Sequence, residues 1–165
     1  MSSAAIPSNE AERLRALREL LILDTPPEQR FDRIVQFAAE EFEMPVAMLS
    51  LVDSERQWTK SCVGVDQCNI AREHAFCAHA ILSAEIMVVP DALADARFVD
   101  NPLVTSGPQV RFYAGAPIET GPGLRVGTLC LLDTRPRELD NTELAILGSL
   151  RDLIRGELLG EPLEP

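Results

Sequence analysis

The segment Val110-Arg-Phe-Tyr-Ala-Gly-Ala-Pro-Ile118 continues through Thr120-Gly-Pro-Gly123 into Leu124-Arg-Val-Gly-Thr-Leu-Cys-Leu-Leu132. Two mainly apolar runs that flank a Gly-Pro turn are typical of a β-hairpin. Side chains alternate across a strand, so each run presents two faces. One face carries only apolar residues, namely Phe112, Ala114, Ala116, Leu129 and Leu131. The other face is mixed and carries Arg111, Tyr113, Gly115, Thr128 and Cys130. The segment therefore predicts a sheet whose two sides are used differently.

The same division recurs in a strand predicted over residues 46–52. Ala47, Leu49 and Leu51 share one face, and Met48, Ser50 and Val52 share the other. A turn at Asp53-Ser-Glu55 joins this strand to a second one predicted over 57–63. The polar side chains of the mixed faces need hydrogen-bond partners if they are buried. Either a bound small molecule or the backbone of nearby loops would supply those partners.

Helical and loop patterns surround these strands. Helices are predicted over 9–23, from 26 to the residue before Pro45, over 75–83 and over 140–158. Thr25 and Glu28 would form a capping box for the second helix, and Asp140 with Glu143 would do so for the last one. A short strand is predicted over 86–89 and a long loop over 91–108, a length that indicates binding or a short internal helix. This order predicts an α+β fold, with an antiparallel sheet and a helical layer.

Composition restricts the class of function. The 165 residues are 46% hydrophobic and carry a formal net charge of -11, which disfavours binding to nucleic acid or to an anionic membrane. No apolar run approaches a membrane-spanning length, and the first residues do not form a secretory signal. We therefore expect a cytoplasmic protein whose four cysteines are thiols. Residues 1–8 are expected to be a disordered segment, 9–159 a single domain and 160–165 a flexible tail.

Six short motifs stand in order along the chain. They are Asp24-Thr-Pro-Pro-Glu28, Phe76-Cys-Ala-His-Ala-Ile81, Val89-Pro-Asp-Ala92, Arg97-Phe-Val-Asp-Asn-Pro-Leu103, Arg111-Phe-Tyr-Ala-Gly-Ala-Pro117 and Gly127-Thr-Leu-Cys130. Together they resemble bacterial GAF domains, small-molecule sensory modules often found ahead of histidine kinases or diguanylate cyclases. The resemblance implies a PAS-like antiparallel sheet, terminal helices on one face and a ligand cavity under an excursion, residues 64–108, on the other. It also implies a free-standing module that dimerises through its terminal helices and acts on a separate kinase or cyclase, and it names no ligand or cofactor.

GAF subclasses with known chemistry are distinguished by particular residues. The Asn-Lys-Phe-Asp-Glu motif of the cyclic-nucleotide group is absent, and residues 91–109 contain no Cys for a covalent bilin. Free methionine-R-sulfoxide reductases carry a cysteine near the position of Cys77, but their catalytic Cys has no counterpart here, and of their carboxylates only Asp133 offers a possible match. We therefore expect a non-catalytic sensory domain. The alternative is a thiol reductase of that type, with Cys77 as the catalytic residue.

The candidate ligand site lies between the mixed face and the excursion. Tyr113, Thr128 and Cys130 would form its floor, Cys77 and His79 its roof, and Asp91 and Arg111 its rim. Tyr113 offers both a donor and an acceptor, and Arg111 could hold a carboxylate or phosphate. Alternatively, Arg111 pairs with Asp91 or Asp95 and only anchors the loop.

Several thiols and imidazoles raise two further possibilities. Cys68, His74, Cys77 and His79 fall within twelve residues, but their spacing differs from that of structural zinc sites, so no metal is predicted. Cys77 is then a small buried apolar residue. Cys62 and Cys68 could form a redox pair, although little positive charge lies near them in sequence.

The last helix carries two apolar stripes. One consists of Leu144, Leu147, Ile154 and Leu158, and the other of Ile146, Leu150 and Leu153. One stripe can cover the sheet while the other meets a second copy, which predicts a homodimer. The alternative is that the first helix of the same chain buries the second stripe.

Overall fold

A computed structural model describes residues 3–66 and 69–161. Its centre is a six-stranded sheet in the order β3-β2-β1-β6-β5-β4, and every neighbouring pair is antiparallel. The strands are β1 (Val46–Val52), β2 (Arg56–Val63), β3 (Asn69–Ala71), β4 (Met87–Val89), β5 (Phe112–Glu119) and β6 (Arg125–Asp133). The predicted α+β class and both predicted hairpins are confirmed.

Five α-helices accompany the sheet in the described residues. They are α1 (Glu10–Glu19), α2 (Gln29–Glu41), α3 (Phe76–Ala80), α4 (Pro102–Thr105) and α5 (Asn141–Leu158). The predicted cap of the last helix is present: Asp140 accepts from the backbone of Glu143, and the Glu143 side chain accepts from the backbone of Asp140. No helix within the described ranges is long and apolar enough to cross a membrane.

The two faces of the sheet divide the buried side chains as the alternation predicts. Helices α2 and α5 pack on the apolar face, where Phe31 and Leu147 meet strand residues such as Leu49 and Leu131. We call this layer the helical core. The mixed face packs against the excursion and buries a second cluster that includes Tyr113 and Cys130. We call this layer the excursion core.

The beginning of α2 differs from the prediction. The helix starts at Gln29 rather than at Pro26, and its N-cap Glu28 makes no side-chain cap bond. The reason is Lys60, whose side chain is 0% exposed. Its ammonium lies 2.8 Å from the Glu28 carboxylate and donates to Thr25 Oγ1 at 2.7 Å. A buried ammonium needs such partners. Because Thr25 and Glu28 interact with Lys60, they do not form the predicted capping box of α2.

The ends of other elements also differ from those predicted. Helix α1 ends at Glu19, four residues earlier than predicted, and Leu21 adopts a positive φ of 53° just beyond it. The polar connection expected over 64–73 contains β3 and a 3₁₀ turn, Arg72–His74. The long loop contains a second 3₁₀ turn, Ala92–Ala94, and α4, so the short internal helix is confirmed.

Glu10 joins the helical layer to the excursion. Its carboxylate accepts from Arg13 in α1 at 2.6 Å and from Arg72 in the excursion at 2.6 Å. Arg13 is 1% exposed and also donates to Val52 O at 2.7 Å. Partial burial raises the pKa of Glu10, but hydrogen bonds from Arg72 and Arg13 outweigh it and lower the pKa to about 2.

Candidate ligand cavity and thiol cluster

A cavity of about 300 Å³ lies between the mixed face and the excursion. Most of its wall is apolar. The sheet contributes Met48, Gln57, Thr59, Tyr113 and Leu132, and the excursion contributes Ile70, Phe76, Cys77 and Leu103. The charged side chain among the described lining residues is Asp133, which is held by Arg137 at 3.0 Å and Arg135 at 3.3 Å. The cavity therefore favours an uncharged molecule over an anionic one.

The thiol of Cys77 lies where this cavity meets the sheet. Tyr113 Oη donates to Cys77 Sγ at 3.2 Å, and Thr128 Oγ1 lies 3.1 Å from the same sulfur. Cys130 stands two residues beyond Thr128 on the same face of β6. Cys77 and Cys130 belong to the same buried cluster of the excursion core. We call these four residues the thiol cluster.

The position of Tyr113 depends on the glycine two residues further along β5. A Cβ atom at Gly115 would collide with the Tyr113 hydroxyl and ring. The Tyr113 ring thus occupies the space that Gly115 leaves open, and it is tilted against Phe76 with centroids 5.2 Å apart. This arrangement directs the hydroxyl at Cys77.

The surroundings push the two thiol pKa values apart. Burial raises the pKa of Cys77, but hydrogen bonds with Cys130, Thr128 and Tyr113 outweigh it and lower the pKa. The hydrogen bond with Cys77, together with burial, raises the pKa of Cys130 well above its ordinary value. Burial also raises the pKa of Tyr113, and the neighbouring thiols add to this.

Two buried polar atoms near these groups make no hydrogen bond with any described residue. One is Ser50 Oγ and the other is Gln57 Oε1. Ser50 stands opposite Thr128 in the β1–β6 ladder, on the face that carries the thiol cluster. Gln57 lines the cavity. An unsatisfied buried polar atom costs free energy, which a ligand or a modified side chain with a matching group would recover.

The structure separates the seven predicted site residues into three groups. Cys77 and Tyr113 line the cavity. Thr128 and Cys130 are fully buried in the excursion core beside Cys77. His79, Asp91 and Arg111 are not among the residues that line the cavity.

These last three residues have positions of their own in the excursion. The His79 ring packs edge-on against Phe98 at 4.8 Å, and the Asp91 carboxylate accepts from Leu93 N at 3.1 Å. Arg111 donates to the carbonyls of Val104 at 2.9 Å and Val110 at 3.1 Å. Asp95, considered as a partner of Arg111, is paired with Arg97 at 2.7 Å. Arg111 thus contacts loop backbone carbonyls rather than a carboxylate.

Gln57, Thr59 and Met48 line the cavity but were not among the predicted site residues. A signal for them existed, because Gln57 and Thr59 alternate with Trp58 along the predicted strand and therefore share a face. Met48 shares a face with Ser50, and both belong to the mixed face that the alternation predicts.

The remaining thiols and imidazoles show no metal-binding geometry where the structure describes them. Within residues 3–66 and 69–161, no three His, Cys, Asp or Glu side chains are grouped to hold a metal ion. Cys62 Sγ donates to Val65 O at 3.0 Å. Cys68, invoked for both the metal cluster and the Cys62 redox pair, lies outside the described residues.

Helices on one face of an antiparallel sheet and a cavity-enclosing excursion on the other define an α+β domain with a candidate ligand cavity. A family model for the GAF domain matches residues 26–158. The chain belongs to the GAF domain family, as its motifs suggested.

Known proteins resemble this chain in sequence and in fold. A cyclic di-GMP phosphodiesterase of Pseudomonas aeruginosa is 36% identical over 159 residues, which are 96% of this chain and 27% of that protein. A type II free methionine-R-sulfoxide reductase from Thermoplasma acidophilum superposes with a TM-score of 0.65 at 15% identity, covering 86% of this chain and 94% of that one. The GAF domain of an Acinetobacter phosphoenolpyruvate-protein phosphotransferase gives 0.64 at 16% identity, covering 90% and 94%. The two structures share the fold, and the chain spans about a quarter of its curated relative.

Proposed function

We propose that this GAF domain is a non-catalytic, cytoplasmic sensory module that binds a small, uncharged and largely apolar molecule. The observation that carries the proposal is the cavity of about 300 Å³ with the unsatisfied amide oxygen of Gln57 in its wall. This volume is at the small end of ligand pockets. No Lys, Arg or His stands among the described residues of the wall, so phosphate-bearing ligands such as cyclic nucleotides are disfavoured.

The output we propose is control of a signalling enzyme. The sequence relative is a cyclic di-GMP phosphodiesterase, and this chain matches about a quarter of it. An enzyme of cyclic di-GMP turnover is therefore a suitable output for this domain, together with the kinases and cyclases that the motifs suggest. With a net charge of -11, we expect no gel shift with DNA at low salt.

We propose that the domain dimerises through its terminal helices and that these helices transmit the effect of ligand binding to the output enzyme. Helices α2 and α5 lie side by side, and Arg30 in α2 donates to Glu157 O in α5 at 2.7 Å. Phe37 on α2 is 50% exposed and Leu153 on α5 is 42% exposed. We expect light scattering at high micromolar concentration to give a dimer mass. Leu153→Arg should give a monomer, whereas Leu93→Arg, at an equally exposed site on the excursion, should not.

Ligand binding is tested with three bicyclic probes of similar size. Indole is uncharged and has an N–H donor, indene is uncharged without a donor, and indole-3-carboxylate is charged. We expect indole to raise the Tm saturably, indene to do so about tenfold more weakly, and the carboxylate not at all. Gln57→Leu should remove the preference for indole over indene.

A cavity-filling variant provides the control for the binding site. Ile70→Trp fills the wall of the cavity and should abolish the effect of indole, whereas Leu153→Trp adds the same side chain on the surface of α5 and should not. Failure of both uncharged probes to raise the Tm, or an equal response of Ile70→Trp, contradicts the proposed ligand class.

A reductase acting on free methionine sulfoxide is the second candidate. It is favoured by the position of Cys77 in the cavity wall and by the lowered pKa of that thiol. Turnover with dithiothreitol as reductant that disappears in Cys77→Ser would support it. Wild-type protein without turnover would support the sensory function.

A further inference from the structure

We propose that Cys77 and Cys130 form a peroxide-reactive dithiol, in which Cys77 reacts first with a small hydroperoxide and Cys130 then closes a buried disulfide. The inference rests on the thiol cluster and its contact with the cavity, and it does not depend on the ligand class proposed above. The pair differs from Cys62 and Cys68, the redox pair considered from the sequence.

The access route distinguishes the two sulfurs. Cys77 lines the cavity, and Cys130 is 0% exposed beneath it and does not line the wall. A molecule as small as hydrogen peroxide that enters the cavity therefore meets Cys77 and not Cys130. This order of access assigns the attacking role to Cys77 and the resolving role to Cys130.

The hydrogen bonds around Cys77 suit a thiolate. Tyr113 Oη donates to its sulfur at 3.2 Å, and Thr128 Oγ1 at 3.1 Å can do the same. No Lys, Arg or His stands among the described residues that line the cavity, and these donors can stabilise the thiolate instead, because hydrogen bonds to an ionised group are stronger than those between neutral groups. The lowered pKa of Cys77 and the raised pKa of Cys130 agree with this order.

Ser50 supplies an independent observation. Its hydroxyl is buried, has no hydrogen-bond partner among the described residues, and stands on the face that carries Thr128 and Cys130. Ser50 is paired with Thr128, whose hydroxyl lies 3.1 Å from Cys77 Sγ, so a sulfenic acid on Cys77 adds one oxygen on the face that carries the Ser50 hydroxyl. The oxidised thiol would thus satisfy a polar atom that the reduced protein leaves unsatisfied.

The chemistry balances with one hydroperoxide. The Cys77 thiolate attacks one peroxide oxygen, an S–O bond forms, the O–O bond breaks, and the leaving hydroxide takes the proton released by Cys77 to become water. The Cys130 sulfur then attacks the sulfenic sulfur, an S–S bond forms and the S–O bond breaks. The departing hydroxide takes the Cys130 proton, so two thiols are oxidised and one hydrogen peroxide is reduced to two waters.

The experiment treats the reduced full chain with one equivalent of hydrogen peroxide and follows intact mass, thiol titration after denaturation and peptide mapping. We expect the loss of two hydrogens, two titratable thiols fewer and a cross-linked pair of peptides containing Cys77 and Cys130. The double variant Cys62→Ser/Cys68→Ser should react like the wild type. Cys130→Ser should stop at a sulfenic acid that dimedone traps, and Cys77→Ser should not react.

Hydroxyl variants test whether the cluster activates the thiol. Tyr113→Phe removes a donor to Cys77 and should slow the reaction about tenfold. Thr142→Val is the matched control, because Thr142 is exposed on α5 and lies outside both the cavity wall and the thiol cluster. An unchanged wild-type mass in excess peroxide, or a disulfide that involves Cys62 or Cys68, overturns the proposal. Near-native Tm values of the Cys77→Ser and Cys130→Ser variants exclude misfolding as the cause of lost reactivity.

Discussion

The two faces of this sheet bury side chains of different chemistry. The helical core is almost entirely apolar and is closed by α2 and α5. The excursion core, in contrast, contains two thiols, a phenol, buried hydroxyls and a cavity of about 300 Å³. Close packing stabilises the helical core. The excursion core, in contrast, contains a cavity and buried polar groups, which do not contribute to close packing. The helical core therefore maintains the fold, and the excursion core is where we propose that binding and chemistry take place.

Two neighbouring leucines on β6 face opposite sides of the sheet and test the different roles of the two cores. Leu131 is 0% exposed in the helical core, and Leu132 points to the other face and lines the cavity. Leu131→Ala should lower the free energy of unfolding by about 3 kcal/mol, because it leaves a void in a packed core. Leu132→Ala should lower it by about 1 kcal/mol or less, since it enlarges an existing cavity. Denaturant titration of both variants measures the difference, and equal losses would contradict the division of roles.

Glu10 on α1 links the helices to the excursion through its ion pair with Arg72. Its folded pKa of about 2 lies below the ordinary 4.5, so its contribution is present above pH 4.5 and is lost as the pH falls toward 2. Glu10→Gln should cost about 2 kcal/mol at neutral pH, a value reduced because the carboxylate remains partly solvated. Its Tm should therefore fall less than that of the wild type between pH 4.5 and pH 2. Glu12→Gln, at an exposed site on the same helix, should retain the wild-type pH profile.

Arg111 gives the smallest expected effect and separates anchoring of the excursion from ligand binding. Its guanidinium holds the Val104 carbonyl and does not line the cavity. Arg111→Met should lower the free energy of unfolding by about 1 kcal/mol and leave indole binding unchanged. Arg15→Met, at an exposed position on α1, should change neither quantity. If Arg111→Met kept the wild-type stability but bound indole more weakly, Arg111 would instead be a ligand-binding residue.

Residue alternation predicted the use of the faces for β1, β5 and β6, yet it fails within β2. The pairing register passes from Leu49 opposite Ser61 to Ser50 opposite Thr59, which leaves Lys60 as an extra residue in a β-bulge. Beyond this bulge the faces exchange, so Ser61 bonds Asp32 of α2 at 2.6 Å while Thr59 lines the cavity. Strict alternation would have put Ser61 and Thr59 on the same face.

Local sequence patterns were sufficient to predict the α+β class, the two-faced hairpin and the cap of α5, because alternation and capping depend on residues close together in the chain. The family followed from the resemblance of the six ordered motifs to GAF domains. The association of Cys77 with Tyr113 and Thr128 was anticipated only as a shared pocket. Only the tertiary contacts showed that Thr128 and Cys130 lie behind Cys77 and that Arg111 donates to loop carbonyls. They also showed that Lys60 interacts with Thr25 and Glu28, the residues expected to cap α2. These outcomes depend on how buried charges and hydroxyls find partners across distant segments, which local sequence patterns do not encode.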